Sequence, residues 1–136
     1  MFALKNTADD AVVGAALAAL KNADPVELAY GEYVLNKSEA EETFLSHFRE
    51  NMRLDENFNP QPGSIAKSPV DIEEFIIYNP GEYPTTCPKG NLIQNTSIHV
   101  VIHFKAERPG LRGLFGKYVD ITVHRDVDNL YFLKSE

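Results

Sequence analysis

The sequence predicts an α+β protein in which two helices pack on a largely antiparallel sheet of about four to five strands. Two segments with helical patterns precede most of the strand-like segments, and the second half of the chain alternates apolar and polar residues in several runs. A chain of 136 residues is long enough to bury a hydrophobic core without disulfides. We therefore expect a single domain over residues 1–136.

The first predicted helix contains the most apolar stretch of the chain, AVVGAALAAL from Ala11 to Leu20. A helix that is apolar on every side is buried on every side or lies in a membrane. The stretch is shorter than the roughly 20 apolar residues that cross a bilayer. Two interpretations stay open: a core helix wrapped by the sheet, or the continuation, over residues 7–21, of a membrane helix that has been removed.

The boundaries of this helix are suggested by polar residues and a proline. Thr7 is followed three residues later by Asp10, which is close to a capping box, and Asp9 and Asp10 suit the positive end of a helix. Pro25 lacks an amide donor and terminates the pattern. These residues predict a helix from about Thr7 to Lys21.

A strand and a second helix are predicted next. The run VELAYGEYVLN places apolar residues at alternate positions and predicts a strand interrupted at Gly31. Ser38 and Glu41 form a capping box, so a helix is expected from about Ser38 to Arg53. Its apolar stripe consists of Phe44, Leu45, Phe48 and Met52.

The remaining pattern is β. The predicted strands are Val70 to Tyr78, Ser97 to Lys105, Tyr118 to His124 and Leu130 to Leu133. Segments 55–69 and 79–95 are rich in turn-forming residues and predict long loops, and Asp126 to Asn129 predicts a turn.

Two histidines on the predicted strands are candidates for a metal site. Strand periodicity places His99 and His124 on the same face, opposite to the apolar one. If Phe104 pairs with Val119, His99 lies directly opposite His124. Two histidines without a third ligand are a weak indication of a metal site, but they support the hypothesis that zinc raises the melting temperature through His99 and His124.

Other polar residues favour non-catalytic interpretations. In the same register His103 faces Asp120, and it lies about 13 Å along the strand from His99, too far to share an ion. Cys87, in the loop PTTCPKG, is interpreted as a free thiol, and solvated polar-face histidines are the favoured interpretation. Glu74 is expected on a solvated face and Asp128 in a turn. The sequence therefore assigns no catalytic, cofactor-binding or metal-binding residue, and no cofactor.

The net charge of −7 and the pI near 5.1 make nucleic acid an unexpected partner. The segment RPGLRGLFGK combines positive charge with large apolar residues. It predicts a loop that contacts a protein partner or an anionic membrane surface or, as the favoured alternative, a hairpin loop whose apolar residues fold back on the core. The candidate contact residues are Arg108, Leu111, Arg112, Leu114, Phe115 and Lys117.

Three features together resemble the extracytoplasmic part of TadE-like pilus assembly proteins and related pseudopilin-like proteins. They are the Ala-rich helix, the pattern F-x-x-x-F-x-x-N-M-x-L formed by Phe44, Phe48, Asn51, Met52 and Leu54, and the P-G-L-x-G-L-F-G loop. The resemblance implies a membrane-anchored, extracytoplasmic, non-enzymatic protein. It further implies that the protein acts through protein partners or through self-association of its N-terminal helix. If Met1 is the natural start, a cytoplasmic location is the alternative.

A second hypothesis is a ligand-binding or enzymatic domain of cystatin-like or NTF2-like shape. In such a domain, a curved sheet and a helix enclose a pocket. The expected lining is Tyr30, Tyr33, Phe75 and Tyr78.

Overall fold

A computed structural model describes residues 2–22, 31, 33–107 and 117–128 of the chain. Within these residues it contains two helices and five strands. The elements are α1 (Phe2–Leu20), α2 (Lys37–Met52), β1 (Asp71–Tyr78), β2 (Thr85–Thr86), β3 (Leu92–Ile93), β4 (Ser97–Glu107) and β5 (Tyr118–Asp128). All strand pairs are antiparallel, which confirms the α+β prediction.

Helix α1 begins at Phe2, so the prediction of a start near Thr7 is wrong. The residues before Thr7 continue the helical apolar pattern, and Leu4 packs against the core. Asp9 does not serve the helix N-terminus. It accepts two hydrogen bonds from Arg125 of β5, one from Nε at 2.5 Å and one from the terminal guanidinium nitrogen, and these tie the helix to the sheet.

The apolar stretch of α1 lies in the core of this domain. It packs against α2, β4 and β5. Its buried residues include Ala8, Val12, Ala15, Ala16, Ala19 and Leu20. Small side chains allow this close packing between helix and sheet. No described helix combines the length and apolar character that crossing a membrane requires.

Helix α2 has the predicted extent but a different cap. The side chain of Asn36 accepts a hydrogen bond from the Glu39 amide at 3.1 Å, so Asn36 and not Ser38 is the N-cap. The apolar side of α2 packs into the core, where the rings of Phe44 and Phe48 stack and the Phe44 ring lies 5.0 Å from that of Phe75.

The main sheet has the order β1-β4-β5, and β2 and β3 form a separate two-stranded hairpin within the predicted loop 79–95. The predicted loop 55–69 contains only isolated bridges. Strand β5 continues to Asp128, so the turn predicted from Asp126 is wrong over the described residues. The reason is that the alternation continues to Val127, which is buried in the core.

The predicted pairing of β4 with β5 is wrong by two residues, since Phe104 faces Ile121 and not Val119. His99 therefore lies opposite Asp126, and His103 opposite Thr122. A shift of two residues preserves the face to which each side chain points.

Several predictions fall on residues outside the described ranges. They include most of the strand interrupted at Gly31, the strand from Leu130 to Leu133, and all of the predicted partner-contact residues except Lys117. The Lys117 ammonium lies 5.5 Å from the centre of the Tyr118 ring.

Candidate metal centre

Four potential metal ligands meet on the face of the sheet that points away from the helices. Cys87, His99, His124 and Asp126 each offer one donor atom, and these four atoms lie within 4.8 Å of one another. The set consists of one sulfur, two imidazole nitrogens and one carboxylate oxygen. Histidine, cysteine and aspartate are the ligand types that zinc sites use.

The β4–β5 ladder positions three of the four residues. His124 and Asp126 are two apart on β5 and so share a face, while His99 lies directly opposite Asp126 on β4. The Nδ1 atom of His99 is 2.6 Å from Oδ1 of Asp126, and the Nε2 atom of His124 is 2.8 Å from Oδ2. Both rings therefore direct a nitrogen towards the same carboxylate.

The hairpin of β2 and β3 supplies Cys87. The Cys87 carbonyl accepts a hydrogen bond from the Gly90 amide at 2.9 Å, which closes a turn with Pro88 at its second position. Gly90 has a φ of 93°, which glycine adopts without strain. The turn places Sγ 3.4 Å from Asp126 Oδ2, and the Asn91 backbone amide donates a hydrogen bond to the sulfur, with 3.4 Å between nitrogen and sulfur.

This site is largely withdrawn from solvent. The side chain of His99 is fully buried and Cys87 is buried, while 26% of the His124 side chain and 12% of the Asp126 side chain are exposed. The prediction of solvated histidines is therefore wrong for His99. That face of the sheet is covered by the hairpin segment, which the sequence pattern indicated only as a loop.

The electrostatics favour an ionised Asp126. Burial alone would raise the pKa of this carboxyl, but hydrogen bonds from Asn91, His99 and Cys87 outweigh burial and hold the pKa below its usual range. The Asn91 side-chain amide donates to Oδ2 at 2.8 Å. An ionised carboxylate is the form that binds a metal ion.

The other sequence candidates lie elsewhere. His103 is paired with the exposed Asp120 at 3.2 Å and takes no part in the cluster. Phe75 and Tyr78 do not line one pocket, because Phe75 packs on Phe44 in the core whereas the surroundings of Tyr78 include Cys87 and Asp126. The Tyr33 hydroxyl donates to the Leu20 carbonyl.

Sequence reasoning found the two histidines but missed Cys87 and Asp126. The H-x-D spacing of His124 and Asp126 places both on one strand face, and C-P-x-G is typical of a tight turn that presents its first residue. These two short patterns are the available signals, and each is common without a metal.

Comparison with family models, with curated proteins and with solved structures finds no match to this chain. Fold and site together define an α+β protein with a buried cluster of one cysteine, two histidines and one aspartate.

Proposed function

We propose that this chain is a zinc-binding protein whose ligands are Cys87, His99, His124 and Asp126. The observation that supports the proposal is the convergence of four donor atoms of zinc-binding types within 4.8 Å. One sulfur and two imidazoles favour zinc over magnesium or calcium, which prefer oxygen ligands.

Charge balance supports a divalent ion. With a metal ion bound, a Cys87 thiolate and an ionised Asp126 would contribute two negative charges to this largely buried site, and two neutral histidines would contribute none. Buried charges are unfavourable unless they are paired or bind a metal. A single divalent cation makes the first coordination shell neutral.

Four protein ligands leave no open coordination position on a tetrahedral ion, so the proposed site is structural. It joins the Cys87 turn to β4 and β5, and zinc would stabilise the docking of the hairpin on the sheet. Because such a site is not preformed in an unfolded chain, the free energy of binding adds to the free energy of unfolding.

The test is thermal unfolding of the chelator-treated protein with and without zinc. Zinc at about 100 times its Kd adds about 2.7 kcal/mol to the free energy of unfolding, which raises Tm by about 8 °C for a chain of this size. The variant H124A is expected to lose this gain. H103A is the matched control and is expected to keep the gain. His103 lies on the same face of the sheet as His99 but pairs with Asp120 and is not one of the four proposed ligands.

Two results would contradict the proposal: no rise in Tm with zinc for the wild-type protein, or an equal rise in H124A and the wild type. Metal analysis of the purified protein provides a second measurement. One zinc per chain is expected in the wild type, and substantially less in H124A.

We keep as a second candidate a membrane-anchored, extracytoplasmic component that acts through protein contacts. Tyr118 is 46% accessible and lies beside Lys117, the one predicted contact residue that the structure describes, and this exposed pair is the observation that favours the candidate. Coding sequence upstream of Met1 provides the test. An apolar segment of about 20 residues there would support this candidate, and its absence from the gene would contradict it. A structural zinc site is compatible with this function.

A further inference from the structure

Glu74 of β1 contacts the candidate metal centre without belonging to its four ligands. Its Oε1 atom lies 2.7 Å from Nε2 of His99, and its Oε2 atom lies 3.7 Å from the Lys89 ammonium. The two ring nitrogens of His99 therefore have different partners. Nδ1 points towards Asp126 and the cluster, and Nε2 points away from the cluster to Glu74.

A β-bulge directs Glu74 to this position. The pairing of β1 with β4 shifts between Ile72, which faces Ile102, and Glu74, which faces Val101. Glu73 is the extra residue, so the strand changes parity there. Without the bulge, Glu74 would share the face of Ile72, which packs against the core. With it, Glu74 points to the face that contains His99.

We propose that Glu74 is the positioning residue of the metal centre, an inference that rests on the proposed zinc site. Its carboxylate accepts the hydrogen of His99 Nε2, so that on zinc binding Nδ1 exchanges its hydrogen bond to Asp126 for a bond from its lone pair to the ion. A metal-bound histidine commonly donates its second ring N–H to a carboxylate in this manner. The carboxylate also holds the ring plane, since His99 is anchored at both nitrogens.

Lys89 completes the arrangement. It lies two residues after Cys87, in the turn that supplies the sulfur ligand, and its ammonium offsets part of the charge of Glu74. The contact links the residue that orients one ligand to the turn that provides another. The ion pair is half exposed and its own contribution to stability is small, so the contact of Glu74 with His99 is the one to test.

The test compares E74Q and E74A with E73Q, in which the neighbouring exposed carboxylate is neutralised on the same strand. Zinc affinity is measured by competition with a chromophoric chelator. Glutamine retains an acceptor oxygen without the charge, so we expect about 10-fold weaker binding in E74Q and up to about 100-fold weaker binding in E74A. E73Q is expected to bind as the wild type does.

The tautomer of His99 provides a readout that a merely structural role would not change. Long-range proton–nitrogen NMR spectra of the zinc-bound wild type are expected to show Nδ1 bound to metal and Nε2 protonated. In E74A we expect the chemical shift of the Nε2 proton to move away from the value typical of a hydrogen-bonded proton, and we expect this proton to exchange faster with water. Unfolding of the metal-free variants corrects the affinities for any change in folding.

Failure of the inference differs from failure of the zinc site. If the wild type does not bind zinc, the proposed function is wrong. If the wild type binds zinc while E74A and E73Q bind equally well, or if zinc binds His99 through Nε2, the site stands and the role of Glu74 is overturned.

Discussion

The Nδ1 atom of His99 lies 2.6 Å from the Oδ1 atom of Asp126, directly across the β4–β5 ladder. The imidazole is fully buried, and its other nitrogen contacts Glu74 at 2.7 Å. A buried polar ring without partners would destabilise the fold by several kcal/mol. The two carboxylates make the position of His99 possible in a sheet, and they also orient it towards Cys87 and His124.

Replacing Asp126 with asparagine is expected to lower the stability of the metal-free protein. Asp126 accepts from His99 on one oxygen and from Asn91 on the other, whereas asparagine has only one acceptor oxygen. One buried donor then faces an NH₂ group, at a cost of roughly 1–3 kcal/mol. Urea unfolding with a chelator present measures the change. The control D120N alters a side chain that is 65% exposed, and a loss as large as that of D126N would contradict this explanation.

Cobalt substitution tests the thiolate ligand. Cobalt(II) occupies sites with zinc-like ligands, and a bound thiolate gives a charge-transfer absorption in the near ultraviolet. We expect this band in wild type and its loss in C87S, with weaker metal binding but a folded chain. Cobalt binding by the wild type without the band would show that Cys87 is not a ligand. The chain has one cysteine, so no other thiolate contributes.

The face of each strand residue could be predicted from the sequence, but the pairing of the strands could not. His99 and His124 were placed on one face correctly because strand parity survives a shift of two residues. The choice between Val119 and Ile121 as the partner of Phe104 depends on packing, since both alternatives keep apolar residues on the core face.

The rest of the site depends on tertiary structure. Asp126 belongs to a D-V-D-N run with turn-like composition, yet burial of Val127 keeps this run in β5. Cys87 reaches the main sheet because the β2–β3 hairpin folds over the face that points away from the helices. No local periodicity of the sequence indicates this contact. Glu74 faces His99 because of a bulge at Glu73, and a bulge changes the period on which the sequence prediction relies.

The N-cap of α2 can be tested by a pair of alanine substitutions. Asn36 accepts from the Glu39 amide, so N36A is expected to lower the free energy of unfolding by about 1 kcal/mol. S38A is the matched control, because Ser38 is the second residue of the helix and exposed. Chemical unfolding measures both. Equal losses in the two variants, or a larger loss in S38A, would contradict the assignment of Asn36 as the N-cap.

The pH dependence of stability tests a contact between Glu82, in the loop from β1 to β2, and Lys37 at the start of α2. Glu82 accepts a hydrogen bond from Lys37 at 2.8 Å and another from the Asn79 amide at 2.9 Å, and these contacts hold the pKa of its carboxyl below the usual range. A lowered pKa in the folded state stabilises the protein at pH values above about 4.3, the pKa of a glutamate carboxyl in the unfolded chain. The stabilisation is lost as the pH falls through the folded pKa.

E82Q is therefore expected to be less stable than the wild type at pH 7, by less than about 1 kcal/mol because the pair is exposed. The difference should shrink steadily below about pH 4, where the wild-type carboxylate also becomes protonated. Urea unfolding at a series of pH values, with chelator present to remove any effect of metal, measures it. A difference that stays constant down to the most acidic pH would show that the side-chain shape of Glu82, and not its charge, stabilises this contact.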